Sequence, residues 1–215
     1  MKSILIIGPG SVNGLGMEIA KIFGRQGYKI LTISRNNEKL FKFKRKLSEK
    51  NILNEYWIAN SKDKQAVSQS LLEMISLHEI ELVIFNLSLR RNDDIIKLEP
   101  EEVLSSIENN STSLLNFVHP ILPHLKKNSG AIITTGGGLG IHPDYHKSRV
   151  SIDKSVLRVL TFLLHDKLKT SGIFVGTITI AASIKEHSSS APKNIAPLYW
   201  NMFVTRKTKE ILFSD

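Results

Sequence analysis

The 215-residue sequence contains no cysteine. Disulfides, thiol nucleophiles and thiolate zinc sites are therefore excluded, and the fold must be held by its core alone. Long apolar runs are missing too: none approaches the roughly 20 residues needed to span a bilayer. The first residues hold only a four-residue apolar run, Ile4–Ile7, of strand length. No secretory leader is expected from it, and a cytoplasmic location is the default. Repeats, low-complexity segments, zinc-finger spacings and the RNA-recognition-motif pattern are absent. Acidic residues are in the minority, 20 against 29 Lys and Arg, which leaves a net charge of +9. The densest basic cluster, Lys39-Leu-Phe-Lys-Phe-Lys-Arg-Lys46, reads as an amphipathic helix with its charges in solvent, and no nucleic-acid partner is expected. Hydrophobic content of 41% and charged content of 23% are ordinary for a globular chain, and the length suits one domain over 1–215.

What is present is organised around residues 3–16. The apolar strand Ile4–Ile7 runs into a glycine-rich loop, and a helical pattern follows from Met17 to Gln26. This order gathers free backbone N–H groups and a helix N-terminus at one spot, which suits a pyrophosphate. The common G-x-G-x-x-G template fails, because position 13 is Asn. Gly10-x-x-x-Gly14-x-Gly16 fits instead, and it resembles the cofactor loop of the short-chain dehydrogenase/reductase family. By that resemblance Gly10, Ser11, Asn13, Gly14, Leu15 and Gly16 are expected to hold the nucleotide.

Further strands and helices alternate along the chain. Strands are expected at 29–34, 55–59, 81–85, 130–135 and 172–180, with an edge strand in the tail. Helices are expected at 64–77, over one long stretch 100–127, and at 150–169. The pattern predicts an α/β fold, a Rossmann-type doubly wound parallel sheet with helices on both faces. Ser34 ends the second strand and Arg35 follows directly, where the adenosine ribose lies in dinucleotide folds. An arginine there pairs with a 2′-phosphate, so NADP(H) is favoured, with NAD(H) as the alternative. Asn60 and Ser61, after the third strand, fall beside the adenine in the resemblance, and Asn86 matches the second Asn of the family's Asn-Asn-Ala-Gly motif. Ile184 keeps the position whose backbone meets the nicotinamide carboxamide, in a loop from Ser183 to Asn194 expected to act as a mobile lid.

For catalysis the resemblance implies a Tyr-x-x-x-Lys pair, a serine and an asparagine. Lys154 matches the lysine and Asn110 the helix-interrupting asparagine. Four residues before Lys154 stands Val150, and the serine position falls at Gly136 or Gly137. Tyr145, reaching in from the preceding loop, is the best replacement proton donor by chemistry; water and the nearby His142 and His146 are alternatives. The expected activity is therefore a divergent NADP(H)-dependent oxidoreductase acting on a small carbonyl or alcohol. The alternative is a non-catalytic NADP(H)-binding sensor or scaffold. Apolar faces on the two long helices predict a homodimer or homotetramer by the same resemblance.

Overall fold

Seven parallel strands form one sheet in the order β3-β2-β1-β4-β5-β6-β7. The computed structural model describes residues 1–88 and 91–214. The strands are β1 (Lys2–Ile7), β2 (Lys29–Ser34), β3 (Asn54–Ile58), β4 (Glu79–Phe85), β5 (Ala131–Gly137), β6 (Phe174–Ile180) and β7 (Glu210–Phe213). The helices are α1 (Leu15–Arg25), α2 (Asn37–Ser48), α3 (Lys64–Leu77), α4 (Pro100–Ile107), α5 (Leu114–Lys127), α6 (Ser148–Leu168), α7 (Pro192–Ile195) and α8 (Pro197–Thr205).

Both faces of the sheet are covered, so the inner strands are buried on both sides, whereas the edge strands β3 and β7 are only partly buried. Along β1, Ile4 and Ile6 join one apolar layer with Phe23, Phe43 and Met202, contributed by α1, α2 and α8. The alternate residues Leu5 and Ile7 join the opposite layer with Leu71, Phe117 and Leu157 of α3, α5 and α6. The expected Rossmann-type sheet is thus the observed one. The chain order reverses between β1 and β4, the two central strands that pair in parallel. In such sheets the crevice above this switch point, at the strand C-termini, is where ligands bind.

Several boundaries differ from the expected ones for local reasons. The single stretch 100–127 is two helices joined by a wide π-type turn, Glu108–Thr112. There the amides of Asn109 and Asn110 donate back to the carbonyls of Ser105 and Ser106, at 2.8 and 3.0 Å. Side chains that compete for helix carbonyls loosen the regular ladder. The sixth strand begins at Phe174 rather than Gly172, because Gly172 is left-handed (φ +73°) and ends the preceding turn. On α2 the charges form exposed pairs such as Lys42–Glu38 and Lys46–Glu49. Among the described residues no helix is long and apolar enough to cross a membrane.

Candidate cofactor and active site

The loop between β1 and α1 is built for backbone exposure. Gly10 has φ +77° with open space around the position of a Cβ, so glycine is required there by conformation and not by crowding. Gly16 is required by proximity: a Cβ would lie 2.2 Å from the carbonyl oxygen of Pro9. Gly14 caps α1 in an extended conformation without a side-chain bond, leaving Ser11 and Asn13 exposed beside the helix N-terminus. Leu15 and Gly16 are buried beneath. First-turn amides pointing outward at a helix start favour an anion.

A cleft of about 550 Å³ opens along the strand ends next to this loop, over an apolar floor that includes Ile7, Ile33 and Phe117. The sequence-predicted residues Ser34, Arg35, Asn60, Ser61 and Asn110 all line it. Arg35 is exposed and makes no ion pair among the described residues. Ser61 is tied to the π-type turn through its hydroxyl, which donates to the carbonyl of Asn109 at 3.3 Å. Asn86 does not line the cleft; its amide donates to the carbonyl of Gly8 at 2.9 Å and so joins β4 to the start of the glycine loop.

Lys154 is 6% exposed on α6. Its ammonium donates to the carbonyls of Thr135 at 2.8 Å and Leu87 at 3.3 Å. Burial pulls its pKa down from 10.5 to about 8, and the neighbouring Asp153 carboxylate opposes that change. Asp153 itself, 2% exposed, accepts from Ser106 Oγ at 2.7 Å and from the Asn110 amide at 2.9 Å. Its other oxygen, Oδ1, is buried with no partner among the described residues. Desolvation pushes this carboxyl upward, against the two hydrogen bonds. One turn earlier on α6, Arg149 forms a buried ion pair with Asp93 at 2.8 Å and reaches Glu102 at 3.1 Å. That pair straps the segment after β4 to the start of α6.

The glycines at the end of β5 have a packing reason. A Cβ on Gly136 would come within 2.8 Å of the Thr177 and Thr179 hydroxyls, and one on Gly137 would lie 3.2 Å from Lys154 Cγ. At Gly136 the space a serine would need is already occupied by β6, whereas at Gly137 the lysine stem would have to give by a few tenths of an ångström.

The profile of the short chain dehydrogenases matches residues 2–189. The chain belongs to the short-chain dehydrogenase family. It is 26% identical over 174 residues to hydroxysteroid dehydrogenase-like protein 1 of Gallus gallus, covering 79% of this chain and 53% of that one. The chain thus spans about half the length of that curated relative. A short-chain dehydrogenase from Rhodopseudomonas palustris superposes with a TM-score of 0.87 at 19% identity, over 100% and 98% of the two chains. An NADPH-bound short chain oxidoreductase from Pseudomonas aeruginosa PAO1, described as containing an atypical catalytic center, gives 0.87 at 14% identity, over 99% and 95%.

Within this family member, the glycine-loop residues, Asn86 and Lys154 flank the cleft without lining it, and Tyr145 and Ile184 lie outside its lining too. Tyr145 is 68% exposed and its ring lies against that of His146, with centroids 4.0 Å apart. Ile184 is half-buried against the apolar layer that also holds Val12. Its loop is folded on itself: Ser190 Oγ donates to the Ser183 carbonyl at 2.7 Å, and Asn194 donates to those of Ser188 and Ser189. Sequence reasoning did not select Asp153, Arg149, Ser106, Thr135 or Tyr199. Asp153 and Arg149 leave a faint signal, as charged positions flanking Val150 and Lys154. Thr135 and Tyr199 leave none.

Proposed function

We propose that the protein is a divergent NADP(H)-dependent oxidoreductase acting on a small carbonyl or alcohol. The observation that carries this reading is the pairing of an open glycine loop at β1 with a buried, carbonyl-held Lys154 across the same switch point. The residues fit a nicotinamide dinucleotide: outward amides at the start of α1 suit its pyrophosphate, and the unpaired Arg35 suits a 2′-phosphate. Ser34, Asn60 and Ser61 offer donors and acceptors to the adenosine half, and Asn86 braces the loop. The relative bound to NADPH supports the same cofactor. When bound, the nicotinamide supplies or takes the hydride. Lys154 orients the ribose beside it, and Asn110 holds the cleft wall through Asp153. Of the proton sources left open, the exposure of Tyr145, His142 and His146 favours water in the cleft.

A second reading, a non-catalytic NADP(H)-binding sensor or scaffold, is favoured by Val150 and by the closed space at Gly136. Titration with NADPH and NADH, followed by calorimetry, tests the shared part of both readings. Tight NADPH binding is expected, with Arg35→Ala weakening NADPH about tenfold, the size of one exposed charge-assisted contact, while leaving NADH unchanged. No binding of either nucleotide would sink both readings. Turnover on a carbonyl panel then separates enzyme from sensor. Exposed Leu104 on α4 and Val159 and Leu163 on α6 support a homodimer or homotetramer, which sedimentation at micromolar concentration tests.

A further inference from the structure

Tyr199 of α8 is fully buried, and a phenylalanine would fill the same apolar space. A phenol is retained in such a place only when its hydroxyl has a partner, because an unpaired buried hydroxyl is costly. The partner is Thr135 Oγ1, at 2.7 Å. Thr135 Oγ1 is in turn 2.9 Å from Asn86 Oδ1, and the Asn86 amide nitrogen is 2.9 Å from the carbonyl of Gly8. The direction of this chain follows from its far end. A carbonyl only accepts, so Asn86 must turn its Nδ2 to Gly8 and leave Oδ1 to accept from Thr135. Thr135 has one proton and gives it to Asn86, so Tyr199 donates to Thr135. The main-chain carbonyl of the same threonine receives Lys154 Nζ at 2.8 Å. One residue on β5 thus links a helix 64 positions downstream to both the glycine loop and the lysine.

We propose that Tyr199 is a positioning residue for the nucleotide site, holding the Gly8 end of the glycine loop and the Lys154 ammonium in place through Thr135 and Asn86. The role rests on the nucleotide-binding reading above. It differs from packing alone because the aromatic ring serves the core, whereas the hydroxyl serves only the chain to Asn86. Removing the hydroxyl takes from Thr135 Oγ1 the donor that fixes it, so its hydrogen bond to Asn86, and with it the hold of Asn86 on Gly8, is less restrained.

The test uses the whole chain with Tyr199→Phe, Thr135→Val and Thr135→Ser, reading amide hydrogen exchange over residues 8–16 and the dissociation constant for NADPH. For Tyr199→Phe, faster exchange in 8–16 is expected, with unchanged exchange in the remote helix α3 and an NADPH constant raised about fivefold to tenfold, the worth of one net hydrogen bond. Thr135→Val should match or exceed that effect, and adding Tyr199→Phe to it should change nothing further, since the path is already cut. Thr135→Ser keeps the hydroxyl and should behave as wild type. Wild-type exchange and affinity in both Tyr199→Phe and Thr135→Val would overturn the proposal. So would acceleration spread equally over α3, the sign of general destabilisation. Should Tyr199→Phe fail to fold, Thr135→Val against Thr135→Ser carries the same comparison. If the wild type binds neither nucleotide, the functional reading fails, and exchange over 8–16 alone decides whether Tyr199 positions the loop.

Discussion

The turn from β1 to α1 and the turn from β5 towards α6 lie on the same edge of the sheet, and both are rich in glycine. Gly16 of the first turn is packed as closely as those of the second, but Gly10 and Gly136 answer opposite needs. Gly10 sits in open space and is required by a positive φ, so the loop turns there with no side chain standing over it. Gly136 is hemmed in by the hydroxyls of β6, and a Cβ on Gly140 would lie 2.7 Å from the Lys154 main chain. The first turn keeps room for a ligand; the second gives room up to close packing. A glycine-rich motif therefore does not by itself report a binding site. The neighbours decide whether the missing side chain makes a cradle or a contact.

The largest effect is expected at the closed end. Asp93→Ala strands Arg149 in a site where both partners are less than a tenth exposed. A loss of about 3–5 kcal/mol is expected in urea unfolding, as for other broken buried pairs. A loss below about 1 kcal/mol would mean that Glu102 alone suffices and that the strap is not structural.

Lys154 gives the next effect through pH. Its ordinary pKa of 10.5 falls to about 8 in the folded chain, so the unfolded chain binds more protons between those limits. The lysine's contribution is then least favourable below about pH 8, and stability gains as pH rises through that window. Measured against Lys154→Met, the wild type should gain at most about 3 kcal/mol between pH 7 and pH 10, since each tenfold change in proton affinity is worth about 1.4 kcal/mol. A flat difference would show a lysine with solvent access at the cleft.

Two alanine substitutions set the turns directly against each other. Gly136→Ala should cost about 2 kcal/mol by overpacking, and Gly10→Ala about 1 kcal/mol from its positive φ. The nucleotide readout should reverse that order, with Gly10→Ala weakening NADPH more than Gly136→Ala does. The same ranking in both measurements would erase the distinction between the turns. The smallest effect belongs to Tyr145→Phe, expected within about 0.5 kcal/mol for an exposed side chain. Activity on any substrate found should also be unchanged, and a hundredfold loss would return the phenol to the catalytic centre.

Much of this was legible in the residues themselves. The apolar strands, the glycine loop and the placement of Arg35, Asn60 and Ser61 follow from local pattern, since strand and helix periods and turn chemistry act over a few neighbours. The break within 100–127 was marked by Asn110, but its form as a π-type turn needed the back-bonding to Ser105 and Ser106. Tyr145 carried the right chemistry, yet its direction depends on a loop whose path no periodicity encodes.

By itself the sequence determined the order of strands and helices and the position of the phosphate-type loop, because those depend on residues adjacent in the chain. Only the tertiary structure decided that Asp153 faces Ser106 and Asn110, that Gly136 has no room for a serine, and that Tyr199 reaches Gly8 through Thr135 and Asn86. Those contacts join residues tens of positions apart, and each exists because a buried polar atom must find a partner wherever packing places one.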